Sequence, residues 1–391
     1  MKLLVYGGSF NPPHLGHVTA VKSAQQAVQP DRTLVIPAAI PPHKALEAGS
    51  PDAAARLKLT ELAFGKLPGV QVSDLELHRE GKSYTSDTVK ALRAQYPDAE
   101  IFFLVGTDML ETFHQWHEFR FILSEVTLVA TAREEAELEK VRTAAERLKA
   151  DFGAKILVLT AEPLPLASTQ LRRLLKRRCG AEYLPEAVYA HIIKERLYDA
   201  QPSFDYLREQ SYVFLKPKRV AHVWGCEHEA RKLAERWGAD AEFAAEAGIL
   251  HDITKKFELS DQLLLSEKYG IINDNVELQN EKLLHAKTGA AMAKDLFGVP
   301  EEVENAIRWH TTGHENMTLL EQIIYLADYI EPTREFPGVE KLRALAYEDL
   351  RSAMILGLQM SLEEVRSWGS EPHPNTVRAL AWFQAHQGEK E

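Results

Sequence analysis

The chain has 391 residues, 45% apolar and 26% charged, with a net charge of −11; that length predicts two or three domains, and the acidic balance argues against general nucleic-acid binding, which wants a basic face. Cys179 and Cys226 are too few for a disulfide framework and lack metal-type spacing. No apolar run nears the ~20 residues that span a bilayer, and the N-terminus runs straight into a strand with no room for a signal peptide, so a cytoplasmic protein with no membrane partner is expected.

Leu3 to Tyr6 reads as a buried parallel strand, followed by Gly7-Gly8-Ser9-Phe10-Asn11-Pro12-Pro13-His14-Leu15-Gly16-His17 and a helical segment to Ala27. A strand, a glycine turn and a helix start form a phosphate-holding corner: glycines let the backbone approach, and the helix end offers free N–H groups. His14 and His17, three apart, share one side of the first turn and can donate to triphosphate oxygens as charge builds there.

Further strands are predicted at Leu34–Ile36, Val70–Val72, Ile101–Val105, Val126–Val129 and Ile156–Leu159, with helices at Ala53–Phe64, Asp87–Gln95 and Glu134–Ala150. This alternation predicts a parallel sheet covered by helices, with ligands at the carboxyl ends of its strands. Polar residues follow the strands accordingly: Pro41-Pro42-His43-Lys44, then Gly106-Thr107-Asp108 with Trp116, then Thr131-Ala132-Arg133, then Ser168 to Arg172. Ser168 reads as a helix N-cap, with Arg172 one turn up the same face to meet phosphate oxygens.

Over residues 1–198 these motifs resemble the nicotinate-nucleotide adenylyltransferases, with the opening His-x-x-His signature intact. The resemblance implies an α/β Rossmann-like fold, a parallel sheet with helices on both faces. It assigns Gly7, Gly8, Ser9, Phe10, Gly106, Asp108, Arg133, Ser168 and Thr169 to ATP and phosphates, and Tyr84, Thr85 and Trp116 to the nicotinate part. His14, His17, Lys44 and Arg172 would act on the triphosphate, with Mg²⁺ accompanying ATP. Glu134 stands where the family follows its arginine with Pro-Gly. The implied reaction joins nicotinate mononucleotide to the AMP part of ATP. Rival acceptors are pantetheine phosphate, choline phosphate and flavin mononucleotide, and preference for the acid over the amide rests on the resemblance alone.

Residues 199–203 read as a linker, with Ser203 a candidate N-cap. Beyond it helical periodicity covers Arg219–Trp237, Ala241–His251, His285–Phe297, Glu301–His310 and Leu319–Ile330, without a strand. This predicts a separate all-α domain over 204–391. His251-Asp252 ends an apolar helix, and His222, His285 and His310 lie in others. Asp328 sits in the apolar run Ile323–Ile330, where a carboxylate needs a cation or hydrogen bonds. Imidazole and carboxylate donors without thiolates suit Fe, Mn or Co.

This half resembles the HD-domain metal phosphohydrolases, most of all the bacterial symmetrical diadenosine tetraphosphate hydrolases. The resemblance implies two divalent ions. His222, His251, Asp252 and Asp328 would hold one, and His285 and His310 the second, with Asp252 bridging. Lys255 and Arg334 would contact phosphates, and His314 stands where no ligand is expected. Two rivals remain: a nucleotide-sensing regulatory module without turnover, and a hydrolase of another phosphoester. The implied partners are ATP, nicotinate mononucleotide and diadenosine tetraphosphate, and a homo-oligomer is compatible with these residues.

Overall fold

Near-continuous apolar runs suit strands buried on both faces, and the computed structural model, which describes residues 1–42, 46–79, 81–132, 135–160 and 166–386, places six such strands in one sheet. They are β1 (Lys2–Gly8), β2 (Arg32–Pro37), β3 (Val70–Val72), β4 (Glu100–Gly106), β5 (Val126–Ala132) and β6 (Lys155–Thr160). Every pairing is parallel and the order is β3-β2-β1-β4-β5-β6. The order reverses between β1 and β4, so the crevice beyond their carboxyl ends is the place for a ligand.

Helices α1 (Leu15–Val28), α2 (Ala53–Phe64), α3 (Thr85–Gln95), α4 (Thr107–Glu111), α5 (Phe119–Glu125), α6 (Glu135–Phe152), α7 (Ser168–Leu175) and α8 (Glu186–Lys194) complete this half. Leu3, Val5, Ile36, Val89, Phe113, Ile122 and Leu128 form part of its apolar core. Each such side chain contributes ~1.5–3 kcal/mol on full burial. Asp52 caps α2 by accepting from Ala55 N at 2.8 Å. At α7 the sequence expectation is corrected: the N-cap is Ala167, and Ser168 is the first helical residue. The Gln170 side chain accepts the Ala167 N–H at 3.1 Å, and Ser168, one position inside the helix, is not placed to cap it.

Contacts divide the chain into Met1–Gln201 and Pro202–Glu391. The second unit is helical, with no strand among its described residues. It holds α9 (Phe204–Tyr212), α10 (Pro217–Trp237), α11 (Ala241–Leu250), α12 (Leu259–Lys268), α13 (Glu281–Phe297), α14 (Glu301–Trp309), α15 (Leu319–Ile330), α16 (Val339–Glu348), α17 (Leu350–Ser367) and α18 (Pro374–Ala385). Ser203 caps α9 by accepting from Tyr206 N. Thr318 and Glu321 exchange bonds at the start of α15 as a capping box. Gly248 lets α11 lie against α10, since a Cβ there would meet the Glu227 backbone at 2.8 Å. No described helix is long and apolar enough to cross a membrane.

Between β3 and α3, Glu76 is 6% exposed and accepts from Thr88 Oγ1 at 2.6 Å. Burial raises its carboxyl from 4.5 to about 7, against the opposing pull of Thr88 and Arg79. A carboxyl raised in the fold stays protonated where the unfolded chain is ionised. It therefore subtracts stability as pH climbs from 4.5 through about 7, by ~3 kcal/mol in all. Glu76→Gln is expected to slow amide exchange in β1 and β4 at pH 8 and to change it little at pH 4.5. An equal effect at both pH values would exclude the carboxyl as the cause.

Candidate active sites

In the first unit the loop after β1 is held from several sides. Gly8 gives the Phe10 ring room, since a Cβ there would lie 3.0 Å from it, and Phe10 is itself buried with a positive φ of 45°. Arg56 of α2, 1% exposed, donates to Ser9 O at 2.9 Å, Ala38 O at 2.6 Å and Ala39 O at 2.8 Å. One buried guanidinium thus joins the loops after β1 and β2. Ser83 Oγ accepts from Ala39 N and Ile40 N, which brings the Tyr84-Thr85 segment to the same end of the sheet.

His14 caps α1, and its ring centroid lies 3.8 Å from that of His17. The His14 backbone N–H donates to His17 Nδ1 at 3.1 Å. In the neutral ring Nδ1 is then the acceptor and Nε2 carries the proton. The motif's own backbone thereby makes His17 Nε2 a donor.

Far along the chain, α7 returns to this loop. Ser168 Oγ donates to Pro12 O at 3.1 Å, and buried Arg172 donates to Asn11 O at 2.6 Å. Arg172 also pairs with Glu47 at 2.7 Å and bonds Thr169 Oγ1 at 3.1 Å. Gly106 precedes α4, where Asp108 is exposed. Trp116 is 8% exposed and stacks on Phe113 at 4.6 Å within the core, whereas the neighbouring His117 ring lies 4.6 Å from Tyr84. Lys44 and Arg133 lie outside the described residues. Arg56 is the group that sequence reasoning missed, because its acceptors are main-chain carbonyls that leave no motif.

In the second unit four helix segments bring imidazoles together. His251 and His310 each follow a helix as its C-cap. Each turns Nδ1 onto a carbonyl three residues back: His251 to Gly248 O at 2.8 Å, His310 to Ile307 O at 2.6 Å. A carbonyl only accepts, so Nδ1 carries the proton and a neutral ring presents a lone pair at Nε2. Those lone pairs face other ring nitrogens. His251 Nε2 is 3.2 Å from His222 Nε2, and His310 Nε2 is 3.1 Å from His285 Nε2.

Asp252, fully buried, faces both pairs. Its Oδ2 lies 3.5 Å from His251 Nε2 and 3.8 Å from His222 Nε2; its Oδ1 lies 3.3 Å from His285 Nε2 and 3.8 Å from His310 Nε2. Asp252 Oδ1 has no hydrogen-bond partner among the described residues. Asp328 Oδ1 sits 3.0 Å from His222 Nε2. Two groups, His222–His251–Asp328 and His251–Asp252–His310, each hold their donor atoms within 4.8 Å. Converging lone pairs and an orphaned buried carboxylate oxygen fit divalent ions, and an all N and O donor set fits Fe, Mn or Co.

Burial and then Lys255 push His285 down to about 4. Burial and then the neighbouring imidazoles push His310 well below its ordinary value. Both are therefore neutral at pH 7, the form that binds metal. Burial opposes ionisation of Asp252, yet His251 and Lys255 hold it well below the usual carboxylate range. Arg219 donates to Asp252 Oδ2, Arg334 to Asp328 Oδ1 at 2.5 Å, and Lys255 Nζ stands 3.0 Å from His285 Nε2. Arg219 carried a sequence signal, since it lies one turn before His222 on α10. His314 is outside the cluster and pairs with Glu321 at 3.1 Å.

The profile of the cytidylyltransferase-like family matches residues 5–174, and that of the HD domain matches residues 219–333. A protein from Geobacter metallireducens named "Probable nicotinate-nucleotide adenylyltransferase" is 34% identical over 213 residues, which make up 51% of this chain and 98% of that relative. The chain belongs to the nicotinate-nucleotide adenylyltransferase family. It carries an HD domain in its second half. A Mycoplasma pneumoniae protein named "Probable nicotinate-nucleotide adenylyltransferase/Ap4A hydrolase" is 27% identical, covering 93% of this chain and 99% of its own length. A crystal structure from Clostridium acetobutylicum, described as a "predicted HD superfamily hydrolase involved in NAD metabolism", shares 37% identity. It covers 47% of this chain and 98% of its own, with a TM-score of 0.46.

In this adenylyltransferase family member, Arg56→Leu would strand three carbonyls beneath the β1 and β2 loops. Each unsatisfied buried acceptor costs ~1–3 kcal/mol, so a loss of about 3 kcal/mol or more is expected in urea unfolding. A loss under about 1 kcal/mol would show that water or a shifted loop replaces the guanidinium.

Proposed function

We propose that the first unit transfers the adenylyl group of ATP to nicotinate mononucleotide, and that the HD unit cleaves diadenosine tetraphosphate symmetrically to two ADP. The Geobacter and Mycoplasma relatives' names and the site chemistry support this reading. The observation that carries the first activity is the His14–His17 pair, with its Nε2 donor set by the loop's own N–H.

In the transfer, a phosphate oxygen of the mononucleotide forms a bond to the α-phosphorus as the α–β bridging bond breaks, and pyrophosphate leaves. No protein nucleophile is needed, so catalysis is alignment and charge stabilisation. His17 Nε2–H, His14 and the Arg172 guanidinium serve the triphosphate, with Lys44 and Arg133 in the same role by family resemblance. Gly7, Gly8, Ser9 and Phe10 form its cradle. Gly106, Asp108, Ser168 and Thr169 complete the ATP site, and Tyr84, Thr85 and Trp116 address the nicotinate. Mg²⁺ bound with ATP would spread the leaving group's charge.

In the HD unit the neutral His285 and His310, with His222, His251, Asp252 and Asp328, are the groups that would hold two divalent ions. Such ions supply Lewis acidity toward a phosphoryl oxygen and toward water. Arg219, Lys255 and Arg334 border the carboxylates and can neutralise a polyphosphate chain.

His17→Ala is expected to lower formation of nicotinate adenine dinucleotide from nicotinate mononucleotide and ATP by ~10²-fold or more, the scale of a lost charge-stabilising donor. Unchanged turnover would remove His17 from the reaction. For the HD unit, protein supplied with Fe²⁺, Mn²⁺ or Co²⁺ is expected to give ADP alone from diadenosine tetraphosphate, with the products resolved by chromatography. Asp252→Ala should abolish that cleavage and spare adenylyl transfer. AMP plus ATP as products would assign attack to a different phosphorus, and no cleavage with any of the three ions would sink the hydrolase reading.

A further inference from the structure

Four imidazoles enter the HD centre, and their outer nitrogens are held by different chemistry. His251 and His310 rest on carbonyls of their own helices, which are neutral acceptors. His285 Nδ1 has Lys255 Nζ at 3.4 Å. Of these four, His222 has its outer nitrogen on a carboxylate: its Nδ1 lies 2.9 Å from Glu331 Oε1, and Glu331 is fully buried.

That carboxylate is fixed on every side. Thr333 donates to it twice, from its hydroxyl to Oε1 at 2.5 Å and from its backbone N–H to Oε2 at 2.7 Å. Arg343 Nη2 donates to the Glu331 carbonyl at 2.9 Å. On α10, one turn beyond His222, Gly225 leaves the room it occupies, because a Cβ there would collide with Glu331 Oε2. Burying a carboxylate is costly unless it is paired and hydrogen-bonded. Here Thr333 holds both carboxylate oxygens while Oε1 meets His222 Nδ1, with Arg334 Nε 3.9 Å from the same oxygen.

We propose that Glu331 is the positioning residue of the metal centre. It holds His222 with Nδ1–H outward and Nε2 inward, and makes His222–His251–Asp328 the tighter of the two metal positions. A carboxylate behind a ligating imidazole fixes its tautomer and increases its electron donation, and removing such a partner costs about 10- to 100-fold in affinity. The end of α15 thereby delivers two groups to one ion: Asp328 as ligand and, three residues on, Glu331 through His222. The inference rests on the reading of this cluster as a metal site.

The test is calorimetric titration of the metal-depleted full chain with Mn²⁺, alongside the visible absorption of Co²⁺ added in steps. The wild-type protein is expected to show a tight and a weaker class of site. Glu331→Gln keeps the shape and an acceptor oxygen but removes the charge. It should weaken the tight class about 10- to 100-fold, leave the weaker class in place, and alter the Co²⁺ spectrum at the first equivalent. Gly225→Ala, whose Cβ crowds the carboxylate out of place while leaving its charge intact, should weaken the same class. It provides a second reading should Glu331→Gln fail to fold. First-ion affinity at the wild-type level in both variants, or equal weakening of both classes, would overturn the role of Glu331 alone. A wild-type chain that takes up neither ion would overturn the metal reading with it.

Discussion

An imidazole has two nitrogens, and whichever one is tied outward decides what the other can do. In the HD unit the outward ties are carbonyls and a carboxylate, so Nδ1 of His222, His251 and His310 is engaged and Nε2 points inward, each within 3.2 Å of a second imidazole. With Asp252 and Asp328 beside them, these nitrogens form a donor set that fits divalent cations. In the first unit the tie is reversed. A backbone N–H occupies His17 Nδ1, and Nε2 of the neutral ring is then the donor, suited to anionic oxygens. The same side chain is thus set for a cation in one unit and for an anion in the other by nothing more than the polarity of its second hydrogen bond.

Both outcomes depend on where the helices end. His251 and His310 reach a carbonyl three residues back because each stands just past the last full turn, and His14 caps α1. Helix ends leave backbone groups without intrahelical partners, and this chain spends several of them on aligning side chains. Interior packing then holds the alignment. Gly248 allows α11 to approach α10, and Gly225 clears space for the Glu331 carboxylate.

Much of this was legible in the sequence. The six strands follow their apolar runs to within a few residues, and the loops after β1 and β2 and the start of α7 come together at the carboxyl end of the sheet. The six imidazole and aspartate residues expected at the metal centre lie together. What escaped has a common cause. Glu331 acts on a residue 109 positions away, and Arg56 on main-chain carbonyls, so neither leaves a local pattern. Ser168 has the composition of an N-cap, yet the helix begins one residue earlier than that role requires, and its hydroxyl donates to Pro12 O, 156 positions away. Helices α12, α16, α17 and α18 lie within the span expected to be all-α, but they carry no motif to fix their bounds.

The guanidinium of Arg56 also has an effect on the opposite side of the loops it holds. A peptide unit is planar and trans, so its C=O and N–H point opposite ways. Drawing the carbonyls of Ser9 and Ala38 inward therefore turns the N–H groups of Phe10 and Ala39 outward. The latter meets the Ser83 hydroxyl. A positive charge buried beneath the loop thus orients backbone dipoles in the layer above it, and the polarity of the loop's outer face is written by a residue that never reaches that face.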